Sequence, residues 1–150
     1  MAENCLLTVI TQRSSFYEIL DYEFHRAVKY NNVMTLMFIK LYHLDEIIRN
    51  RDQLSTERII SEIEHLIRSN IRNTDRGFMY GKDEYMIILP NTPKSDASRI
   101  IPKLKQILEG YHFTGGKGKH VALQVKFGIA SYPHHIEAMN GEIKHIENHL

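Results

Sequence analysis

The spacing of apolar positions changes several times along the chain, and each change marks an element. Between residues 14 and 31, Phe16, Leu20, Phe24, Ala27 and Val28 recur at helical spacing with charges between them, which predicts an amphipathic helix. "VMTLMFIKLY" (33–42) then runs nearly unbroken and predicts a buried central strand. Residues 44–51 fit a short helix. A longer one follows, with Ser55 or Thr56 as its cap and Ile59, Ile60, Ile63, Leu66, Ile67 and Ile71 on one face. "GFMYGKDEYMIILP" (77–90) reads as strand, tight turn, strand. A further helix is expected over 95–109, in which Pro102 removes a hydrogen bond and should kink the axis. "VALQVKFGIASY" (121–132) alternates at Val121, Leu123, Val125, Phe127 and Ile129, the pattern of a strand with one covered face. The end, 136–149, fits a short final helix.

This order predicts an α+β domain: a mixed, mostly antiparallel sheet with helices packed on it. The 150 residues read as a single domain, without internal repeat, low-complexity tract or interdomain linker. A hydrophobic content of 43% and a charged content of 25% suit a soluble globular protein. The formal net charge of +1 supplies no global field for nucleic acid or membrane, so neither is expected as a partner and any anion site must be local. Runs such as Val33 to Ile39 are too short to span a bilayer, and the start, with Glu3 and Asn4, does not read as a signal peptide. The single Cys5 excludes an intrachain disulfide and a cysteine-based zinc site, which makes a cytoplasmic setting the default. His145 and His149 are four apart and could share a helix face, but no third ligand is evident, so no metal is expected there. "TGGKGKH" (114–120) is glycine-rich yet leads into a strand, which favours a flexible connection over a phosphate loop.

The candidate chemistry lies around the turn. "RNTD" (72–75) is followed by five residues and then "GKDEY" (81–85). Upstream stand "LLTVITQRSSF" and "MFIKLYHLDEIIR"; downstream stand "IILPNT" and "FGIASYP". Together these resemble the GGDEF domain of diguanylate cyclases, which join two GTP molecules into cyclic di-GMP. The correspondence runs without gaps from Cys5 to about Lys105. It implies a palm-like, ferredoxin-related fold, and the family's closing helix with its ALYxAK pattern is absent or cut off at Leu150.

The resemblance also implies that the synthetic site is degenerate. Lys40 stands where the family has a magnesium-binding aspartate, and an ammonium repels a divalent ion and supplies no lone pair. Tyr42 replaces a second aspartate, Ile48 a guanine-reading asparagine, and Arg49 its aspartate neighbour. Lys82 follows Gly81 where the hairpin has its second glycine, so a side chain crowds the nucleotide's approach. Asp83, Glu84 and, at a guanine-binding position, Glu57 survive. No catalytic residue, metal or cofactor is therefore expected.

What kept its letters is the RxxD element, which in the family binds cyclic di-GMP as an inhibitory product. Its residues here are Arg72 and Asp75, with Arg99 at a second arginine position and Lys103 as a partial match one turn on. Arginine can fork onto guanine O6 and N7 or onto phosphate, and a carboxylate accepts from guanine N–H groups. The expected function is a catalytically inactive receptor for cyclic di-GMP that signals through a protein contact; the sequence names no partner, and a homodimer is compatible. The alternatives are a ligand-independent interaction or dimerisation module, or a residual GTP-binding domain in which Lys40 and Lys82 hold the triphosphate without metal.

Overall fold

The computed structural model describes residues 13–49, 54–113 and 121–133. The segment before Arg13 with Cys5, the glycine-rich connection, His134, His135, and the expected last helix with His145 and His149 lie outside the described residues. The elements are α1 (Arg13–Tyr30), β1 (Met34–Tyr42), α2 (Leu44–Arg49), α3 (Leu54–Arg68), β2 (Arg76–Gly81), β3 (Glu84–Pro90), α4 (Lys94–Gly110) and β4 (Gln124–Tyr132). The four strands form one sheet in the order β2-β3-β1-β4, and each adjacent pair is antiparallel.

Strand β1 is central because both of its faces are apolar. Met37, Ile39 and Leu41 point into a core shared with Tyr85, Ile87 and Leu89 of β3, Val125, Phe127 and Ile129 of β4, and Ile59, Ile63, Ile67, Ile101, Leu104 and Leu108 of α3 and α4. Leu36 and Phe38 point the other way, onto Phe78, Tyr80, Met86 and Ile88, and are covered by Phe16, Leu20 and Ala27 of α1. Helices thus sit on both sides of the sheet, and the unbroken apolar run is a strand covered twice. On the edge strand β4 the alternation holds only at first: Gln124 and Lys126 are exposed, whereas Gly128 through Ser131 are all buried.

Local chemistry sets the ends of elements. Asn31 takes a φ of 55° just beyond α1, and the Asn32 N–H bonds the Ala27 carbonyl at 2.9 Å, so the helix closes on a residue that tolerates the left-handed region. Helix α3 starts at Leu54, which places Ser55 and Thr56 inside its first turn, and it ends at Arg68, before Ile71. Helix α4 continues through Pro102 to Gly110.

One acid in α3 is placed against its own charge. Glu64 is buried, and desolvation raises its pKa although Arg68 pulls the other way. The nearby Tyr85 hydroxyl is buried without a hydrogen-bond partner among the described residues; its pKa is raised by burial first and by the Glu64 charge second. A carboxyl whose folded pKa is raised holds its proton more tightly folded than unfolded. Ionising Glu64 therefore costs stability above that raised value, and the penalty vanishes once pH falls below the ordinary carboxylate range. Glu64→Gln is expected to raise the melting temperature at neutral pH, with the gain disappearing in acid; equal gains at both pH values in thermal melts would contradict this.

Candidate functional site

The acidic turn and the RxxD turn lie at opposite ends of the sheet. Lys82 and Asp83 connect β2 to β3, whereas Arg72 and Asp75 precede β2 beside the far end of β3. Strand β3, from Glu84 to Pro90, separates them by roughly 20 Å at the usual rise of an extended chain.

At the acidic end, the β1–β3 register places Lys40 opposite Glu84. The Lys40 Nζ donates to Glu84 Oε2 at 3.1 Å and to Asp83 Oδ1 at 3.4 Å. Burial works to lower the Lys40 pKa, but the hydrogen bond and charge of Glu84, joined by those of Asp83, more than reverse this, so the ammonium is held above the ordinary lysine value. The Leu41 N–H also bonds the Asp83 carbonyl at 2.8 Å, which fixes the turn to β1. Lys82 reaches away to Asp45 Oδ1 in the first turn of α2, at 2.8 Å, and its hydrogen bond, joined by its charge, lowers the Asp45 pKa. A Cβ on Gly81 would come within 3.1 Å of Glu84 Oε1, so the turn leaves little room for a side chain there.

These residues do not fit a divalent metal. The surviving carboxylates already share a cation covalently attached to the chain, and a metal there would face the Lys40 ammonium. Among the described residues, no group of three or more His, Cys, Asp or Glu side chains converges in a way that could hold a metal ion. Tyr42, Ile48, Arg49 and Glu57 serve packing and surface roles. Tyr42 lies under Lys126, whose Nζ is 5.4 Å from the ring centroid, with Lys40 at 6.0 Å. Ile48 packs against the core, and Arg49 and Glu57 are exposed.

At the other end, Arg72 and Asp75 form a closed clasp. Asp75 is completely buried, while the Arg72 side chain remains 55% exposed. The Asp75 carboxylate accepts from the Arg72 backbone N–H at 2.8 Å, from Nε at 3.4 Å and from a terminal guanidinium nitrogen at 3.1 Å. The Asp75 N–H returns a bond to the Arg72 carbonyl at 3.0 Å, closing the turn. The same guanidinium nitrogen donates to the Pro90 carbonyl at 2.9 Å and to the Thr92 hydroxyl. Arg72 therefore ties the turn before β2 to the loop between β3 and α4.

Thr92, which sequence reasoning missed, continues the chain of bonds inward. Its carbonyl accepts from the Thr35 hydroxyl on β1 at 2.7 Å, and Thr35 meets Ser131 of β4 at 2.9 Å. Thr35 has one hydroxyl proton and gives it to Thr92, so Ser131 is the donor of that last bond. Asp75, Thr92, Thr35 and Ser131 are all buried. The sequence carried no signal for Thr92, since its role depends on where β3 ends relative to the RNTD turn. Arg99 and Lys103 project from α4 as exposed side chains, and Arg99 pairs with Asp96 at 3.9 Å.

An antiparallel four-stranded sheet with helices on both faces and an acidic β2–β3 turn at one end make this an α+β domain. The family model of the diguanylate cyclase GGDEF domain matches residues 6–150, and the chain belongs to that family. A curated relative is the membrane protein YdaK of Bacillus subtilis (strain 168), 24% identical over 131 residues that cover 87% of this chain and 46% of that protein. The chain spans less than half the length of the curated relatives it matches first. Among solved structures, the isolated GGDEF domain of PA1120 (TpbB or YfiN) from Pseudomonas aeruginosa (PAO1) superposes with a TM-score of 0.73 at 24% identity, covering 86% of this chain and 74% of that one. The GGDEF domain of DgcB from Caulobacter crescentus, in complex with c-di-GMP, gives a TM-score of 0.72 at 15% identity, covering 92% and 80%. Among the described residues, no helix is long and apolar enough to cross a membrane.

The clasp makes the two partners unequal in stability. Arg72→Ala leaves a buried carboxylate without its guanidinium and should cost about 2–3 kcal/mol, less than for a fully buried pair because Arg72 is half exposed. Asp75→Ala also removes the desolvation of that carboxylate and should cost only about 1 kcal/mol. Urea unfolding of both variants checks the order; a larger loss for Asp75→Ala would contradict it.

Proposed function

We propose that this domain synthesises no cyclic di-GMP and instead binds it through Arg72, with Arg99 and Lys103 contributing from α4, and passes the signal on through a protein contact. The observation that carries the reading is the Arg72 clasp: a guanidinium oriented by a buried carboxylate, with more than half of its side chain open to solvent. Such a guanidinium can fork onto guanine O6 and N7 or onto phosphate once a ligand takes over bonds that Asp75, Pro90 and Thr92 now hold. Asp75 is fully buried and acts by orienting Arg72, a narrower role than direct contact with the ligand. The DgcB domain shares the fold and was crystallised with c-di-GMP, which supports the choice of ligand.

The case against synthesis rests on Lys40. Phosphoryl transfer to an α-phosphate needs a carboxylate-held divalent ion to offset developing charge, and here the remaining carboxylates are neutralised by an ammonium. Retained GTP binding is disfavoured by the same geometry. Lys40 is engaged by Asp83 and Glu84, and Lys82 by Asp45, so a triphosphate must displace these pairs to recruit either lysine.

Calorimetry with cyclic di-GMP should show binding by the wild type and at least about ten-fold weaker binding by Arg72→Ala, the loss expected for one charge-assisted contact. Silence from the wild type at high micromolar ligand would overturn the receptor reading. Incubation with GTP and Mg²⁺ or Mn²⁺ should yield no cyclic dinucleotide, and detectable product would overturn the argument from Lys40.

A further inference from the structure

One cation in the sheet is left without a counter-charge. Arg76 opens β2, directly after Asp75, and stands opposite Ile88 in the β2–β3 ladder. It lies on the same side of the strand as Phe78 and Tyr80, which pack beneath α1, and it is half-buried. Among the described side chains it is the one half-buried lysine or arginine with neither a hydrogen bond nor an ion pair. The acids around it are committed elsewhere: Asp75 to Arg72, Glu23 of α1 to Arg26 at 3.2 Å, and Glu84 to Lys40.

A guanidinium partly removed from water still carries donors that need acceptors, and withdrawing a charge without a partner costs free energy. An inward-pointing charge on an edge strand also discourages pairing with another strand, and β2 lies at the edge of the described sheet. A charge anywhere along β2 would serve that end. What sets Arg76 apart is its neighbour. The Arg72 guanidinium is bonded to the Pro90 carbonyl, and Ile88, the partner of Arg76, lies two residues back along β3. Two steps of extended chain are roughly 7 Å. Both arginines therefore stand at one end of the sheet, at a spacing that a single ligand with two separated acceptor groups can bridge.

We infer that Arg76 is a second anion anchor beside Arg72, taking a phosphate of the ligand that Arg72 holds. The inference rests on the receptor reading and deepens it: the site then extends from the α4 side of the sheet, where Arg99 and Lys103 stand, to the α1 side. A ligand with two phosphates held apart in one ring, as in a cyclic dinucleotide, meets both arginines, whereas a single phosphate meets one. Arg72 must exchange bonds with Asp75, Pro90 and Thr92 to take up a ligand. Arg76 gives up no such bond, so a phosphate there relieves a cost already present in the unliganded domain.

Thermal melts and calorimetry on the whole chain test this. Without ligand, Arg76→Gln should melt no lower than wild type, because it removes a charge that nothing neutralises. A lower melting temperature would mean that the protein already satisfies the guanidinium, and overturns the inference. With cyclic di-GMP, Arg76→Gln should bind at least about ten-fold more weakly than wild type, the loss of one charge-assisted contact. Its binding should also depend less on salt between about 0.05 and 0.5 M. Arg76→Lys, which keeps the charge, should retain most of the affinity and the salt dependence. Wild-type binding that Arg76→Gln leaves unchanged overturns this inference alone, even where the variant aggregates for want of its edge charge. No binding by the wild type overturns the receptor reading along with it.

Discussion

Strand β1 is the element on which the rest of the molecule depends, because it is covered on both faces at once. Each face demands its own apolar layer, so α1 is held to one side and α3 with α4 to the other. A one-residue slip of β1 would exchange the two layers and expose neither to water, yet it would mismatch every packed side chain. The register is therefore tightly held, and it settles polar geometry at both ends of the strand. Near one end it sets Lys40 opposite Glu84, and near the other it brings Thr35 between Thr92 and Ser131. Packing in the middle of the sheet decides which polar groups meet at its edges.

Much of this was legible from periodicity alone. The unbroken run of β1 and the isoleucine face of α3 announced their elements because burial imposes a repeat that hydrophobic positions must follow. Strand pairing left no such trace. The sheet was expected to be mixed and mostly antiparallel, and the described ladders are antiparallel throughout, since partners in a sheet are chosen by contacts distant along the chain. Helix limits shifted for a related reason: Ser55 and Thr56 look like caps locally, but α3 begins at Leu54.

The candidate site divides in the same way. Spacing brought Arg72 and Asp75 forward as a pair, and three intervening steps suffice for a turn in which a side chain folds back onto its own backbone. Thr92 stayed hidden because its meeting with Arg72 requires β2 and β3 to be paired and ended at particular residues. The burial of Asp75 was equally invisible, since nothing in an RxxD string says which of its charges faces inward. Lys40 was legible as a substitution, but its double engagement with Asp83 and Glu84 is a product of cross-strand register.

The Arg72 clasp has a thermodynamic consequence. A guanidinium bonded to a carboxylate, a carbonyl and a hydroxyl is not idle in the unliganded protein, so a ligand that takes it over must first compete with the protein's own oxygens. Any measured affinity is then a difference between two sets of bonds to one group. Every such exchange would loosen the loop between β3 and α4 while it held the ligand, and occupancy would register as a change in local stability before any larger movement. Amide exchange at Thr92 and its neighbours is where that reciprocity would first be visible.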